Sequence, residues 1–461
     1  MKPVLTTAEM EAVDEEGRRQ VGLETLVARA GFSVARAAVA CLGGMYGRRV
    51  AVVAGKGHNG DDGRVAAALL ARRGARVTVF PAADVPDEIP GCDLVVDAAF
   101  GTRFHGDYRA PRPPPEAVVL AVDIPSGVVA DTGSATPGAV RADVTVTFGA
   151  LKPGLLLGQG PELAGAVIVE PIGLEVGTPA QHLVEDDDLA WIPRRDPQGN
   201  KWDNAVYVVA GSPGMFGAAA LAARGAIRAG AGMVRLGSPG IEPGTVPVVE
   251  AVARPVPEVD WAGAVLDELG RCQALVVGPG LGRTAEAARG ILEVVARAEV
   301  PIVIDADGLF ALGAVAEASA VLRRRRAPTV LTPHDGEYAR LVGASPGEDR
   351  LAATRVLARD LGAFVLLKGP ATVVAAPSGE ALIVTAGSSR LSTAGTGDVL
   401  SGVLGALLAR GLAPLQAAGL AAHVHGRAAA IGLGEGLGAS DLPRLVASVL
   451  SAGGMGPGSR R

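Results

Sequence analysis

Short apolar runs alternate with longer stretches of helical character along most of the chain. In the first half, segments 6–42 and 63–73 are predicted to be helical, and a capping-box sequence starts the first of them at Thr6. Gly22 and Gly31 are expected to interrupt that first helical segment. Strand-length apolar runs lie at 49–54, 76–80, 93–98, 118–122, 144–148 and 167–170. This alternation predicts a buried parallel sheet covered by helices.

The same pattern restarts after a polar and charged stretch over 185–204. Helices are expected at 217–229, 399–409 and 414–431, and the last two, rich in Ala and Leu, finish the chain. Strand-length runs lie at 205–210, 233–236, 274–277, 302–304, 330–331 and 364–367, with a hairpin at 372–376 and 381–385. The sequence therefore predicts an α/β protein of two doubly wound domains, over 1–190 and 191–455.

Composition narrows the class of protein. The chain has 461 residues, of which 49% are hydrophobic and only 3% aromatic, so its cores must be built from Val, Leu, Ile and Ala. A net charge of −5 gives no electrostatic reason to expect nucleic acid or a membrane surface as a partner. The acidic N-terminal segment does not resemble a signal peptide, and three scattered cysteines indicate reduced thiols. We therefore expect a cytoplasmic protein with no nucleic-acid or membrane partner.

A Gly-rich loop of small residues precedes the helix predicted at 399–409. The loop ends in Gly395-Thr396-Gly397-Asp398. The first turn of a helix offers free backbone N–H groups and the positive end of the helix dipole, which together suit a phosphate group. Asp398 would lie in that turn, where its carboxylate can accept a proton from a hydroxyl group. The alternative is an ordinary helix start with an acidic first turn.

The strand 49–54 is followed by glycines with the spacing of a phosphate-binding turn: Gly55, Gly57 and Gly60. Two later strands end in the carboxylates Asp97 and Asp123, and Asn59 lies within the glycine turn. Ligands of open α/β sheets bind at the carboxyl ends of strands. The three polar residues together indicate a site for a monovalent cation or a polar ligand. The alternative is that each aspartate caps its own turn.

Lysine is rare, because the chain uses arginine at almost every position that needs a cation. Apart from Lys2, the lysines lie in or beside Gly-rich turns: Lys56, Lys152, Lys201 and Lys368. A compact ammonium group binds partners differently from a planar guanidinium group. We therefore interpret these lysines as pointers to functional sites, with chance in a GC-rich coding sequence as the alternative.

Several segments of the first half resemble the N-terminal epimerase domain of the bifunctional NAD(P)H-hydrate repair enzymes. The segments are 5–10, 55–63, 96–102, 123–127 and 148–154, the last with Lys152. The resemblance implies a Rossmann-like three-layer domain that binds K⁺ and interconverts the two C6 epimers of hydrated NADH or NADPH. It also implies that Asn59, Asp97 and Ser126 hold the K⁺ ion. Asp123 would be a catalytic residue beside the reactive carbon.

The same resemblance implies a set of contacts to the hydrated substrate. These residues are His58, Asn59, Gly60, Asp61 and Asp62 in the glycine turn, and Gly101, Thr102, Arg103 and Asp107 in a covering loop. Asp61 departs from the family pattern, because it stands where a glycine normally lets a phosphate approach. Arg103 also replaces a glycine. We expect Arg103 or Arg29 to neutralise Asp61, and the alternative is a first domain that only binds or assembles.

Five polar clusters follow successive strands of the second half, so all of them can line one cleft at the carboxyl ends of those strands. They begin at Gly211, Gly278, Asp305, Thr332 and Lys368. Their order around the loop at 395–398 resembles the ribokinase-like superfamily, and within it the ADP-dependent NAD(P)H-hydrate dehydratases. The two resemblances together cover nearly the whole chain.

The second resemblance implies a dehydration that begins with phosphorylation of the C6 hydroxyl of the S epimer. Elimination then gives NAD(P)H, AMP and phosphate, with Asp398 as the catalytic base. The implied substrate contacts are Gly217, Ala218, Gly280, Gly282 and His334, and the implied nucleotide contacts are Lys368, Gly369, Pro370, Ala371, Thr372, Gly395, Thr396 and Gly397. The expected cofactors are ADP, with ATP as the alternative, and the ions Mg²⁺ and K⁺.

We therefore hypothesise a fused repair enzyme for hydrated NADH and NADPH (NADHX and NADPHX), and we expect it to be a homo-oligomer. Its first domain would supply the S epimer to its second domain. One alternative is a kinase of a vitamin-precursor alcohol with a non-catalytic N-terminal binding domain, since such kinases share the Gly-Thr-Gly-Asp loop. That alternative leaves the motifs of the first half unexplained. An NAD dehydrogenase fits least, because no hydride-transfer site is evident.

Overall fold

The structure, a computed structural model, describes residues 1–453. The chain forms two compact units, one over Lys2–Gln181 and the other from His182 onward together with Met1. The polar stretch at 185–204 therefore lies at the start of the second unit. Cysteines 41, 92 and 272 are free, and only Cys272 is buried.

The first unit contains a six-stranded, fully parallel sheet. The strands of this sheet are β2 (Arg49–Ala54), β3 (Arg76–Pro81), β4 (Leu94–Ala98), β5 (Val118–Val122), β6 (Val144–Phe148) and β7 (Ala166–Glu170), and the short strand β1 (Lys2–Val4) of the same unit is not part of it. Its helices are α1 (Thr7–Val21), α2 (Leu23–Leu42), α3 (His58–Arg72) and α4 (Gly160–Ala164), and Pro153–Leu155 forms a 3₁₀ turn. The sheet order is β3-β2-β4-β5-β6-β7. Because the order reverses between β2 and β4, a ligand-binding crevice is expected at their carboxyl ends.

The strands predicted in the first half are confirmed, each within one residue of its predicted bounds. The helix predicted at 63–73 begins earlier, at His58, with Gly57 as its N-cap. The glycine turn is therefore the start of α3 and not a loop before it. The first turn of α3 packs closely against Gly55. Only a glycine fits at position 60, because a Cβ atom there would lie 2.1 Å from the carbonyl oxygen of Gly55.

Two glycines were expected to interrupt the N-terminal helical segment, and only one of them does. Gly22 separates α1 from α2 with a φ of 82°, and the capping box at Thr6 is present. Gly31 lies inside α2, so the predicted break there is wrong. A Cβ atom at Gly31 would lie 2.5 Å from Cγ1 of Val65 and 2.9 Å from the carbonyl oxygen of Asp62. Gly31 thus serves the close packing of α2 on α3.

Helix α2 has the length and hydropathy of a membrane-spanning helix. Its buried side chains, including Ala30, Val34 and Ala38, pack in the core beneath the sheet with Leu94 and Leu120. Packing in this core accounts for the apolar character of the helix.

The second unit is built on a longer sheet in which a hairpin follows the parallel strands. Its strands are β8 (Gln181–Leu183), β9 (Ala205–Val209), β10 (Met233–Gly237), β11 (Val252–Arg254), β12 (Ala274–Val277), β13 (Ile302–Ile304), β14 (Thr329–Leu331), β15 (Phe364–Leu367), β16 (Thr372–Ala375) and β17 (Ala381–Val384). From β17 the order is β17-β16-β15-β14-β13-β12-β9-β10-β11. The pairs β15–β16 and β16–β17 are antiparallel, which confirms the predicted hairpin. The order reverses between β9 and β12, where the second crevice is expected.

The helices of the second unit include a central one that is almost wholly buried, α12. They are α5 (Phe216–Arg228), α6 (Ala262–Glu268), α7 (Ala285–Arg297), α8 (Asp307–Ala311), α9 (Val315–Leu322), α10 (Asp335–Val342), α11 (Arg350–Leu361), α12 (Thr396–Ala409), α13 (Pro414–Ala430) and α14 (Leu442–Gly453). Short 3₁₀ helices lie at Asp186–Trp191, Leu269–Arg271, Ser389–Leu391 and Gly434–Gly436. Two helices were expected to finish the chain, and α14 is a third that was missed.

Helices α5 and α12 approach each other closely through two glycines. A Cβ atom at Gly402 would lie 1.9 Å from the carbonyl oxygen of Ala222, and one at Gly225 would lie 2.5 Å from that of Val399. The contact fixes α12 against the sheet, and α12 carries the Gly-rich loop at its N-terminus.

Candidate active sites

A cavity of about 810 Å³ opens in the first unit. The predicted catalytic residue Asp123 lines it, together with most of the substrate residues predicted for this unit: His58, Asn59, Asp62, Gly101, Thr102 and Arg103. Gly60, Asp61 and Asp107 are absent from its lining, and Asp107 is exposed. Sequence reasoning missed Asp14 and Arg18 of α1, which face the same cavity. No motif marks these two residues, because a helix packed across the strand ends brings them to the site.

Asp123 is held at the cavity by a buried lysine. Its Oδ1 accepts hydrogen bonds from Lys152 Nζ at 2.6 Å and from Thr147 Oγ1 at 3.1 Å. The Lys152 side chain is 1% exposed and also donates to the carbonyl oxygen of Phe148 at 2.9 Å. Asp123 has a φ of 67°, a left-handed conformation that non-glycine residues rarely adopt. The carboxylate is thus oriented by β6 and by the segment that follows it.

Two more carboxyl groups face Asp123. Burial, followed by the charges of Asp123, Asp61 and Asp14, raises the pKa of Asp62 to about 8. Burial and the charge of Asp123 also raise the pKa of Asp14 above its ordinary value. At neutral pH, Asp62 therefore carries a proton. The ammonium group of Lys152 compensates the charge of Asp123 in the same cavity.

The three residues predicted to bind K⁺ lie in one hydrogen-bonded cluster. Asp97 accepts hydrogen bonds from Ser126 at both oxygens, from the backbone N–H at 2.8 Å and from Oγ at 2.7 Å. Ser126 Oγ accepts the backbone N–H of Phe100 at 2.9 Å, and Asn59 donates to the carbonyl oxygen of Phe100 at 2.8 Å. Burial raises the pKa of Asp97 to about 6, against the hydrogen bonds from Ser126. The cluster gathers carboxylate, hydroxyl, amide and carbonyl groups at the ends of β4 and β5.

The prediction that Arg103 or Arg29 neutralises Asp61 is wrong. Asp61 pairs with Arg64 at 3.0 Å, three residues further along α3. Arg103 pairs with Glu11 at 2.7 Å, and Arg29 donates to the carbonyl oxygen of Ile172. Because Asp61 lies in the first helical turn, an i,i+3 partner is closer than either expected arginine. Its charge is compensated on the surface of α3.

In the second unit, the Gly-rich loop begins α12 as predicted. Gly395 is the N-cap with a φ of 90°, and Thr396, Gly397 and Asp398 form the first turn. A Cβ atom at Gly397 would lie 3.6 Å from Lys368 Nζ and 3.8 Å from Oδ2 of Asp305. The two segments predicted to bind the nucleotide thus meet at Lys368 and Gly397.

A buried carboxylate anchors this meeting point. Asp305 accepts hydrogen bonds from Lys368 Nζ at 3.0 Å and from Ser401 Oγ at 2.6 Å. Glu337 lies 3.6 Å from Lys368 Nζ. Burial opposes the ammonium form, but Asp305 and then Glu337 raise the pKa of Lys368 above its ordinary value. Asp305 and Glu337 belong to two of the polar clusters expected to line the cleft, although neither was given a role, and Ser401 was not predicted as a site residue.

Asp398 faces the same group of charges. Burial and then the charge of Asp305 raise its pKa to about 7, while Lys368 acts in the opposite direction. A carboxylate with this pKa is divided between its two ionisation states near neutral pH. It can therefore take up a proton and release it again within one catalytic cycle.

The residues predicted to bind the substrate lie on three neighbouring segments. Gly280 and Ala218 are in contact, because a Cβ atom at Gly280 would lie 2.8 Å from that of Ala218. Gly282 donates its N–H to Asp307 at 2.9 Å, and Gly217 is exposed at the start of α5. His334 caps α10 through Nδ1, which accepts the N–H of Gly336 at 3.0 Å. Nε2 of the same ring lies 3.5 Å from Oε2 of Glu337.

The remaining nucleotide residues form the turn between β15 and β16. Lys368, Gly369, Pro370, Ala371 and Thr372 make up this turn and the start of β16. Arg350 holds it by donating to the carbonyl oxygen of Lys368 at 2.9 Å. A Cβ atom at Gly387 would lie 3.2 Å from the carbonyl oxygen of Pro370, so the segment after β17 lies beside it.

These features define a class of protein. The chain is an α/β protein with a carboxylate-lined cavity in one unit. In the other unit, a helix begins in a Gly-rich loop beside a lysine that is paired with Asp305. The second unit matches the family model described as NAD(P)H-hydrate dehydratase over residues 206–450. The first unit matches the model described as YjeF-related protein N-terminus over residues 23–86 and 80–154.

The chain belongs to the family of bifunctional NAD(P)H-hydrate repair enzymes. It is 40% identical over 396 residues to the enzyme of this description, Nnr, from Mycobacterium tuberculosis, which covers 79% of this chain and 80% of that protein. It is 37% identical over 451 residues to Nnr from Thermofilum pendens, which covers 84% of this chain and 83% of that protein. The resemblance drawn from the motifs is thereby confirmed.

A solved structure shares the fold of the second unit. The ADP/ATP-dependent NAD(P)H-hydrate dehydratase from Bacillus subtilis, co-crystallised with ATP and Mg²⁺, is 28% identical with a TM-score of 0.51. The match covers 58% of this chain and 97% of that one. The predicted ribokinase-like fold is confirmed. The vitamin-precursor kinase is not favoured, because relatives that align with most of the chain are described as repair enzymes.

Proposed function

We propose that this bifunctional repair enzyme dehydrates hydrated NADH and NADPH in its second unit, with Asp398 as the base. Hydroxide is a poor leaving group, so the C6 hydroxyl must first be phosphorylated. Asp398 takes the hydroxyl proton while the hydroxyl oxygen attacks the terminal phosphorus of the nucleotide. The phosphate then leaves from C6 with loss of the C5 proton, which restores the ring double bond.

The observation that carries this proposal is the place of Asp398 in the first turn of α12. The backbone N–H groups of Gly395, Thr396 and Gly397 lie in the same loop and turn. They would stabilise negative charge on the transferring phosphoryl group, as the positive end of the helix dipole also would. Lys368 adds a fixed positive charge beside Gly397. Base and phosphate site are therefore adjacent.

The nucleotide is proposed to be ADP or ATP, and the description of the Bacillus subtilis relative supports both. Mg²⁺ is expected to accompany it. Within residues 1–453, no group of three or more His, Cys, Asp or Glu side chains is arranged to hold a metal ion. We therefore expect phosphate oxygens and water to supply most of the ligands of Mg²⁺.

For the first unit we propose epimerisation by loss and return of water at C6. Asp62 holds a proton at neutral pH and would give it to the departing hydroxyl. Asp123, compensated by Lys152, would accept a proton from the water that adds on the other face of the ring. A protonated carboxyl group and a second carboxyl group that is ion-paired with a lysine, both in one cavity, suit such an exchange.

The cluster of Asn59, Asp97 and Ser126 is proposed to hold K⁺. Its oxygen atoms, together with the carbonyl of Phe100, are the hard ligands that a monovalent cation prefers. A bound cation would add charge compensation to Asp97, whose carboxylate is 2% exposed. Homo-oligomerisation stays a prediction.

The first test is recovery of 340 nm absorbance from mixed R and S NADHX with ADP, Mg²⁺ and K⁺. We expect complete recovery, because both epimers are then consumed. Recovery that stops when the S epimer is exhausted would contradict the epimerase assignment alone. Absence of recovery with ADP and with ATP would contradict the dehydratase assignment.

A further inference from the structure

Two arginine side chains converge on one aromatic ring in the second unit. The guanidinium carbon of Arg340 lies 3.6 Å from the ring centroid of Phe310, and that of Arg283 lies 4.8 Å from it. Both arginines are exposed, and the Arg283 side chain is 62% exposed. Two like charges beside one half-buried ring repel each other, so their convergence on Phe310 needs an explanation.

The pair lies at the edge of the proposed substrate site. Arg283 directly follows Gly282, and Arg340 lies on α10, the helix that His334 caps. Phe310 belongs to α8, which begins at Asp307 beside the buried Asp305. Each of the three side chains is therefore carried by a segment that also carries a residue of the site.

The charges of the pair are only partly compensated. Arg283 donates to Oδ1 of Asp307 at 2.9 Å, and the other oxygen of Asp307 accepts the N–H of Gly282. Arg340 donates to the carbonyl oxygen of Phe310. Among the residues that the structure describes, no carboxylate lies within ion-pair distance of Arg340. One positive charge thus remains on the rim of a site that is otherwise acidic.

We propose that Arg283 and Arg340 form an anion subsite for a phosphate group of the hydrated dinucleotide. The inference rests on the proposed dehydratase site, whose reacting ring must lie near Asp398 while the rest of the substrate extends outward. Planar guanidinium groups bind phosphate oxygens in pairs, and Phe310 holds the two groups in place before binding. The phosphate belongs either to the pyrophosphate bridge or to the 2′-phosphate of NADPHX.

If the two arginines had a purely structural role, different effects on stability and on KM would be expected. Cation–π contacts at exposed sites stabilise by about 0.5–1 kcal/mol and have no preference for a substrate. Removal of either arginine would then lower thermal stability slightly and leave every KM unchanged. Substrates that differ only in their phosphate groups therefore separate the two roles.

The test compares Arg283→Ala and Arg340→Ala with the control Arg297→Ala, whose side chain pairs with Glu293 on the exposed side of α7. Dehydration is measured with the S epimers of NADPHX, NADHX and hydrated reduced nicotinamide riboside, which has no phosphate. We expect the KM for NADPHX to rise about tenfold in both subsite variants, the loss of about one charge-assisted contact. The KM for the riboside, the KM for ADP and the control variant should be unchanged.

The comparison also identifies the phosphate. A KM increase for NADPHX alone assigns the subsite to the 2′-phosphate, and an equal increase for NADHX assigns it to the pyrophosphate. Equal effects on the riboside, or an effect on the KM for ADP instead, would overturn the proposal. Wild-type enzyme that fails to dehydrate any substrate would contradict the proposed function and not the subsite. In that case, weaker NADPH binding by the two variants, measured by fluorescence, still tests the subsite.

Discussion

At the scale of single residues, each site has one strained backbone position at a strand end. Asp123 has a φ of 67° in the first unit, and Ala306 has a φ of 51° beside Asp305 in the second. Such conformations cost about 1–3 kcal/mol and persist where the surroundings hold them in place. At Asp123 the holding groups are visible, because Lys152 and Thr147 both bind its carboxylate. The sequence indicates both strand ends as parts of candidate sites, but it does not reveal the backbone strain at either of them.

The pKa of about 7 at Asp398 makes dehydration pH-dependent. Only the ionised carboxylate can accept the hydroxyl proton, so the rate should fall as pH drops below about 7 and level off above it. The measurement is the pH profile of kcat/KM on pure S epimer. A matched Asp335→Asn variant, altered at an exposed carboxylate that pairs with Arg350, should keep the same acid limb. A profile that is flat from pH 5 to pH 8 would contradict the assignment of Asp398 as the base.

Asp62 should make the protein less stable at alkaline pH. Its pKa is about 8 in the folded state against 3.8 ordinarily, so the folded state binds the proton more tightly. That stabilisation is complete below about pH 4 and is lost as pH rises through 8. Asp62→Asn stays neutral at every pH. Its free energy of unfolding, relative to that of wild type, should therefore increase by about 2–5 kcal/mol between pH 5 and pH 9. Urea unfolding of both proteins at pH 5 and at pH 9 measures this difference.

The control for this prediction is Asp107→Asn, because Asp107 is exposed and does not line the cavity. An exposed side chain contributes little to folding, so this variant should differ from wild type by less than about 1 kcal/mol at either pH. A stability difference between wild type and Asp62→Asn that is the same at pH 5 and pH 9 would refute the assigned protonation state.

At the scale of elements, the site in the second unit depends on how closely α5 and α12 pack. The contact between Gly402 and Ala222 lets α12 lie directly on α5. A helix held this firmly fixes its first turn, where Gly395 to Asp398 lie. Packing in the middle of the helix and chemistry at its end are therefore linked.

Gly402→Ala should destabilise the second unit strongly. The new Cβ atom would lie 1.9 Å from a backbone oxygen, so the two helices must separate. We expect a loss of about 2–4 kcal/mol, seen as a lower Tm, together with reduced dehydration. Gly263→Ala in α6 is the control, because nothing lies within 4 Å of its Cβ position. It should be neutral or stabilising by about 0.5–1 kcal/mol. Equal Tm values for the two variants would refute the packing argument.

Strand positions could be predicted well because buried parallel strands are short apolar runs between Gly-rich turns. Glycine roles could not. The sequence predicts a break at Gly31, yet that glycine lies in a helix and serves a contact with Val65, a residue distant in sequence. Likewise, the partner of Asp61 depends on whether α3 starts at His58 or later, a boundary that local patterns leave open. Asp14 was missed because tertiary packing alone brings it to its cavity. Glu337 lies in a predicted polar cluster, but its contact with Lys368, a residue distant in sequence, could not be predicted.

At the scale of the whole molecule, two compact units each hold a complete set of proposed catalytic groups. The residues of the first cavity all lie within Lys2–Gln181, and Asp398, Asp305 and Lys368 all lie in the other unit. Neither set needs a residue from the other. The two activities should therefore be separable by single substitutions.

This separation predicts complementation between variants. Asp123→Ala should recover only the S fraction of a mixed substrate pool, and Asp398→Asn should recover none. Mixed together, the two variants should restore full recovery of 340 nm absorbance, because the S epimer produced by one can diffuse to the other. If the mixture fails although the Tm of each variant shows that it is folded, the two units depend on each other.

The scarcity of lysine has a practical consequence for chemical labelling. Lys152 and Lys368 are shielded, with side chains 1% and 21% exposed, whereas Lys56 is exposed at the mouth of the first cavity. An amine-reactive ester should therefore modify Lys56, together with the exposed Lys2 and Lys201, and spare the two lysines paired with aspartates. Protection of this one amine, followed by mass spectrometry, would report occupancy of the first cavity without any turnover. The composition of the chain thus provides a footprinting probe that most proteins, with many accessible amines, lack.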